Sequence, residues 1–173
     1  MKIVLLGYMA SGKSSVGRLL ANVLNYSCID LDNYIESQEE NTVQNIFQSQ
    51  GEIYFRKQEL HYLKKVLLQQ DKMVFSLGGG TPCFGDNMKA INEADNTHSI
   101  YLKLSPETIA NRILEDTQPR PLVDHIKEKE KLVEFIQKHL FERNFYYNQA
   151  KYTIAVDDKS LNQIVEEIVL KLL

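Results

Sequence analysis

The stretch Gly7-Tyr8-Met9-Ala10-Ser11-Gly12-Lys13-Ser14 satisfies the pattern G-x-x-x-x-G-K-[ST], and few eight-residue strings restrict a fold so tightly. Such a loop leaves a strand and enters a helix. Its glycines let the backbone curl until successive N–H groups face anionic oxygens, and the helix N-terminus adds the positive end of its dipole. The flanks agree. An apolar run, Ile3-Val4-Leu5-Leu6, precedes the loop, and Val16, Leu19, Leu20, Val23 and Leu24 follow it at helical spacing on one face. Gly7, Ala10, Ser11, Gly12, Lys13, Ser14 and Ser15 are therefore expected to wrap nucleotide phosphates. Lys13 would reach the β- and γ-phosphates, and the Ser14 hydroxyl would serve as a Mg²⁺ ligand.

Beyond the loop, strand and helix signals alternate along the chain. Strands are expected at 2–6, 26–31, 73–77, 99–104 and 152–156. Between them come a polar helix near 32–38, a helix opened by Thr42 and closed near Gly51, and a longer one over 52–69 with Phe55, Tyr62, Leu63, Val66 and Leu67 as its apolar members. A further helix follows the third strand. Ser105-Pro106-Glu107 marks another start, residues 129–149 form a late helix, and Ser160 caps the last, with Leu161, Ile164, Val165, Ile168 and Leu172 on one stripe. Five strands alternating with helices predict an α/β protein with a parallel sheet covered on both faces. Ligands of such sheets gather at the carboxyl ends of the strands.

Composition narrows the options further. The chain has 173 residues, a length suited to one domain over 1–173, and a formal net charge of −3, which gives no footprint for nucleic acid or acidic membranes. No stretch approaches the roughly 20 apolar residues of a membrane span. Cys28 and Cys83 lack metal-ligand spacing and are expected to be free thiols of a cytoplasmic protein.

The strand ends carry the remaining candidates. The second strand runs into Asp30-Leu31-Asp32, and alternation along a strand would turn both carboxylates into one cleft. One acid beside Mg²⁺ and one beside an acceptor hydroxyl would suit phosphoryl transfer, although Asp32 could equally cap the next helix. The third strand ends not in an acid but in Ser76-Leu77-Gly78-Gly79-Gly80. That disfavours a motor or switch ATPase and leaves backbone open to close approach, or simply a tight turn. Arg56, with Glu59 three residues later, has the preoriented fork that captures a carboxylate or phosphate, or forms a surface ion pair. Arg143, beside Phe145, Tyr146 and Tyr147, reads alone as a solvated helix residue. Arg120 sits between Pro119 and Pro121 in a loop that could act as a lid bringing positive charge to the phosphate. The charged run at 124–131 reads as a solvated surface.

Taken together, GYMASGKS, CIDLD, GEIYFRKQE, SLGGG, PRPL and ERNFYY resemble the shikimate kinase family in order and approximate spacing, across nearly the whole chain. The resemblance implies a three-layer α/β/α P-loop kinase fold with sheet order 2-3-1-4-5 and a mobile lid at about 115–127. It implies ATP and Mg²⁺ as cofactors, with transfer of the γ-phosphoryl group to the 3-hydroxyl of shikimate on the route to chorismate and aromatic amino acids. Asp32 would face the reacting hydroxyl. Arg56 and Arg143 would hold the carboxylate, with Gly78, Gly79 and Gly80 completing the pocket and Phe47 and Phe55 walling it. Lys13 and Arg120 would stabilise phosphate charge, Ser14 would bind Mg²⁺, and Asp30 would act on the metal through water. Ala10 stands where family loops often carry glycine. Segment 156–161 lacks the proline often found a few residues after the acid, and Arg112 is the candidate for stacking on adenine. A monomer is expected, with no nucleic-acid or membrane partner. The alternatives are a small kinase for gluconate or a nucleotide, and a non-catalytic sensor of shikimate or nucleotide.

Overall fold

A computed structural model describes residues 1–69, 71–117, 120 and 122–173. Five parallel strands form one sheet in the order β2-β3-β1-β4-β5, the order that the family resemblance implies. The strands are β1 (Lys2–Leu6), β2 (Ser27–Asp30), β3 (Met73–Ser76), β4 (Thr97–Lys103) and β5 (Tyr152–Ala155). β1 lies at the centre, with Leu5 opposite Ser76 of β3 and Ile100 of β4. Its Ile3, Val4, Leu5 and Leu6 are fully buried, as expected of a parallel strand covered on both faces.

The helices are α1 (Lys13–Leu24), α2 (Leu31–Glu39), α3 (Val43–Gln69), α4 (Asn87–Glu93), α5 (Pro106–Glu115), α6 (Lys129–Tyr147) and α7 (Leu161–Leu172). The expected caps form. Thr42 accepts from the Asn45 amide, Ser105 from Thr108, and Ser160 from Gln163 in a full capping box. Gly51, at φ 83°, interrupts α3 and divides it into 43–50 and 52–69, matching the two helices read from sequence. The bend brings Phe47 and Phe55 together, with ring centroids 4.5 Å apart.

Two expectations need correcting. Val23 is 56% exposed, so the buried stripe of α1 runs through Val16, Leu20 and Ala21 instead. Asp32 does not lie on a strand. β2 stops at Asp30, whose carboxylate accepts from the Asp32 and Asn33 amides and caps α2. The two acids share a cleft because the chain turns from strand to helix there, and it is Asp30 that caps.

Candidate active site

The P-loop ends in Gly12, the N-cap of α1, which offers no side-chain acceptor to the first turn, and that turn carries no acid. Its N–H groups are thus left for an anion. Lys13 folds back on the loop, donating to the carbonyls of Gly7 and Tyr8 at 2.9 Å each and to Ser11 Oγ at 3.3 Å. Burial lowers its pKa to about 8 against the opposing pull of Asp32 and Asp30, and Arg120 adds to the lowering. Ala10 adopts a left-handed φ of 59°, and Arg112 Nη1 donates to its carbonyl at 3.0 Å. This accounts for glycine being favoured there, and gives Arg112 a bond to the loop that spacing could not reveal.

A cleft of about 760 Å³ opens over the loop, lined by residues 9–15, Asp30, Asp32, Leu77, Gly78, Gly79, Arg112, Glu115, Asp116 and Arg120. The expected phosphate, metal and acceptor-hydroxyl groups therefore meet in one space. Ser14 Oγ stands 3.4 Å from Asp30 Oδ2. Among the described residues no group of three or more metal-ligating side chains exists. A hydroxyl and one nearby carboxylate still suit Mg²⁺, which keeps most of its coordination for water and phosphate. Arg120 is held by Asp116 at 2.5 Å through Nη2, and its amide donates to both Asp124 oxygens at 2.8 Å. Asp124, expected to be merely solvated, thus holds the Arg120 amide. The flanking Pro119 and Pro121 of the expected lid lie outside the described residues.

The half-buried Asp32 carboxyl is pushed up to about 6, first by desolvation and then by the charges of Asp30 and Glu59, with Lys13 opposing. It packs on the glycine turn: a Cβ on Gly78 would stand 3.0 Å from Asp32 Oδ1. The same turn runs close to the P-loop and to Arg56: a Cβ on Gly79 would stand 3.4 Å from the Met9 amide nitrogen, and one on Gly80 would stand 3.1 Å from Arg56 Nη2. These glycines serve close approach by functional groups, since none has positive φ.

Arg56 and Arg143 do not line the phosphate cleft; Arg56 lies at the far end of the glycine turn. Arg56 Nη1 donates to both oxygens of Glu59, at 3.1 and 2.9 Å. Glu59 is only 1% exposed and also accepts from Thr81 Oγ1 at 2.7 Å. Phe84 lies under the guanidinium, 3.7 Å from carbon to ring centroid, nearer than Phe55 at 5.2 Å or Phe47 at 5.8 Å. Phe55 is 3% exposed, a core residue as much as a wall. Arg143 projects beside Cys83, where its charge opposes the burial that raises the thiol to about 11. Thr81 and Phe84 carry no sequence signal because they act through contacts with residues distant in the chain. In segment 156–161, Asp157 accepts from the Ser105 amide and hydroxyl, at 3.1 and 2.7 Å, tying the end of β5 to the start of α5.

Fold and loop together define a P-loop kinase of the small three-layer type. The shikimate kinase family model matches residues 9–173. A shikimate kinase of Flavobacterium psychrophilum is 46% identical over 167 residues, 96% of either chain. The crystal structure of shikimate kinase from Bacteroides thetaiotaomicron superposes with a TM-score of 0.90 at 34% identity, covering 99% of this chain and 98% of that one. A shikimate kinase of Acinetobacter baumannii in complex with shikimate gives 0.85 at 27% identity, covering 99% and 92%. The chain belongs to the shikimate kinase family, whose members are ATP-dependent phosphotransferases acting on a hydroxyl of shikimate.

Proposed function

We propose that the chain carries out the family reaction, phosphorylation of the 3-hydroxyl of shikimate by ATP, with the residues assigned below. The observation that carries the assignment is the glycine turn. Asp32 abuts its first glycine, the P-loop its second and Arg56 its third. A small ring seated there has an acid and a phosphate loop on one side and an arginine fork on the other.

Arg56 and Arg143 bind the shikimate carboxylate, with Gly78, Gly79 and Gly80 supplying backbone and Phe47 and Phe55 apolar walls. Asp32 orients the 3-hydroxyl and takes its proton as that oxygen bonds to the γ-phosphorus and the bond to the β-phosphate bridging oxygen breaks, releasing ADP. A carboxyl raised to about 6 is matched to that transfer near neutral pH. Gly7, Ala10, Ser11, Gly12, Ser14 and Ser15 hold the phosphates, while Lys13 and Arg120 stabilise charge on the transferring group. Ser14, with Asp30 through water, would hold Mg²⁺. When bound, the metal neutralises phosphate charge.

The chain acts as one P-loop kinase domain over 1–173 and works as a cytoplasmic monomer; its net charge of −3 gives no reason for a nucleic-acid partner. No described helix is long and apolar enough to cross a membrane. Purified protein given ATP, Mg²⁺ and shikimate should form ADP and shikimate 3-phosphate. Absence of turnover beside an active family member, or preference for gluconate or a nucleotide in a substrate panel, would overturn this reading. Binding without turnover would instead support a sensor.

A further inference from the structure

Helix α6 carries three polar residues at intervals of four, His139, Arg143 and Tyr147, which places them on one face. The outer two are engaged in long-range hydrogen bonds. His139 Nδ1 pairs with the Tyr8 hydroxyl of the P-loop at 2.8 Å, and the Tyr147 hydroxyl donates to the Gly79 carbonyl at 2.6 Å. Tyr8 and Tyr147 are buried, at 3% and 0% exposure. Each partner is itself fixed. Phe135 packs on the His139 ring one turn earlier, at 5.2 Å, and Tyr101 packs on Tyr147 at 5.0 Å.

These contacts close a circuit. Tyr8 leads to His139, α6 carries the connection to Tyr147, Tyr147 holds Gly79, and Gly79 packs against the amide of Met9, the neighbour of Tyr8. Arg143 lies midway between the two clamps, and its charge reaches Tyr8, His139 and Tyr147. A buried hydroxyl placed against a buried loop is an exacting constraint, because a shift of the helix would leave both hydroxyls unpaired.

We propose that Tyr8, His139 and Tyr147 are positioning residues, which fix the register of α6 so that the phosphate loop, the glycine turn and Arg143 share one frame. This rests on the reading that Arg143 binds the shikimate carboxylate. It assigns a role to the second residue of the P-loop, which does not line the cleft over the loop.

The test compares steady-state constants and melting temperatures of Tyr8→Phe, His139→Phe, Tyr147→Phe and Arg143→Ala. Tyr8→Phe and Tyr147→Phe keep the ring and lose only the hydroxyl. Each should raise the shikimate KM by roughly three- to tenfold, the loss of one hydrogen bond, with kcat changed less. Tyr8→Phe combined with His139→Phe should be no worse than the more damaging single change, because both remove the same bond. His139→Asn, whose amide can accept near the Nδ1 position, should restore the shikimate KM. A lowered melting temperature with unchanged shikimate KM in both Tyr variants would overturn the proposal and leave these bonds merely structural. An unchanged KM in Arg143→Ala would overturn the underlying site reading.

Discussion

The two halves of the site are built on opposite plans. The phosphate half is local: eight consecutive residues supply the loop, and its lysine bonds to the loop's own carbonyls. The half proposed to hold the acceptor is assembled at long range, with Arg56 from α3, Thr81 from the 3₁₀ turn Thr81–Cys83, Arg143 from α6 and three glycines between β3 and that turn. On the proposed reading Lys13 exchanges its carbonyl partners for phosphate, whereas Arg56 already has its orientation from a buried carboxylate and a ring beneath it. A shared anion grip can be encoded in a short string; selection of one particular acceptor depends on how distant elements pack.

The largest test of this contrast is Lys13→Ala. Removing the cation proposed to face the β- and γ-phosphates should lower kcat by roughly 10²- to 10³-fold, with the shikimate KM little moved. Unchanged turnover in a coupled ADP assay would remove Lys13 from the mechanism. The counterpart on the acceptor side is Arg56→Ala, which should raise the shikimate KM roughly tenfold or more while leaving the ATP KM within about twofold. It should also destabilise the fold by about 2–3 kcal/mol in denaturant titration, because Glu59 is left buried with only Thr81. An unaltered shikimate KM would mean that the guanidinium serves the fold alone.

Acidity offers a test of intermediate size. In the free enzyme the Asp32 carboxyl stands at about 6 and Lys13 at about 8. The ionised acid and the charged amine therefore coexist between those values, and kcat/KM should fall on either side. The stability sign for Asp32 runs the other way. Its folded pKa lies above the ordinary carboxyl value near ~4, so the native state holds the proton more tightly and loses stability as pH rises from about 4 to about 6. Asp32→Asn should then be inactive yet more stable at pH 7, by about 1–2 kcal/mol after allowing for solvent screening. That gain should vanish below about pH 4. A variant no more stable at neutral pH would show that desolvation does not govern this carboxyl.

The same contrast explains what could be read beforehand. Five strands, their parallel arrangement and most helix starts follow from periodicity and caps, since Ser105, Ser160 and Thr42 act within one turn of themselves. Asp30 and Asp32 were legible as a pair, but not which of them caps, because that depends on where β2 stops rather than on residue type. Arg56 and Glu59 were visible as neighbours on a helix; Thr81 and Phe84, which complete that cluster, carry no signal at such distance. Val23 departs from its stripe for a related reason, since an apolar stripe does not say where its edge meets solvent. Pairing Tyr8 with His139, 131 residues apart, requires the fold itself.

The smallest expected effect tests locality most directly. Ala10 is a non-glycine residue at φ 59° inside the phosphate loop, a conformation that costs an L-residue about 1–2 kcal/mol. Ala10→Gly relieves that cost but gives the unfolded chain more freedom, which offsets about 0.5–1 kcal/mol. The net gain should be at most about 1.5 kcal/mol, and the Arg112 bond to the residue 10 carbonyl should survive because it uses backbone. If the phosphate half is as self-contained as its geometry, only the ATP KM should move, by about twofold or less, with the shikimate KM fixed. A shift in the shikimate KM as large as that in the ATP KM would show that strain in the loop passes through the Met9–Gly79 contact into the acceptor half, and the two halves would then be one mechanical unit.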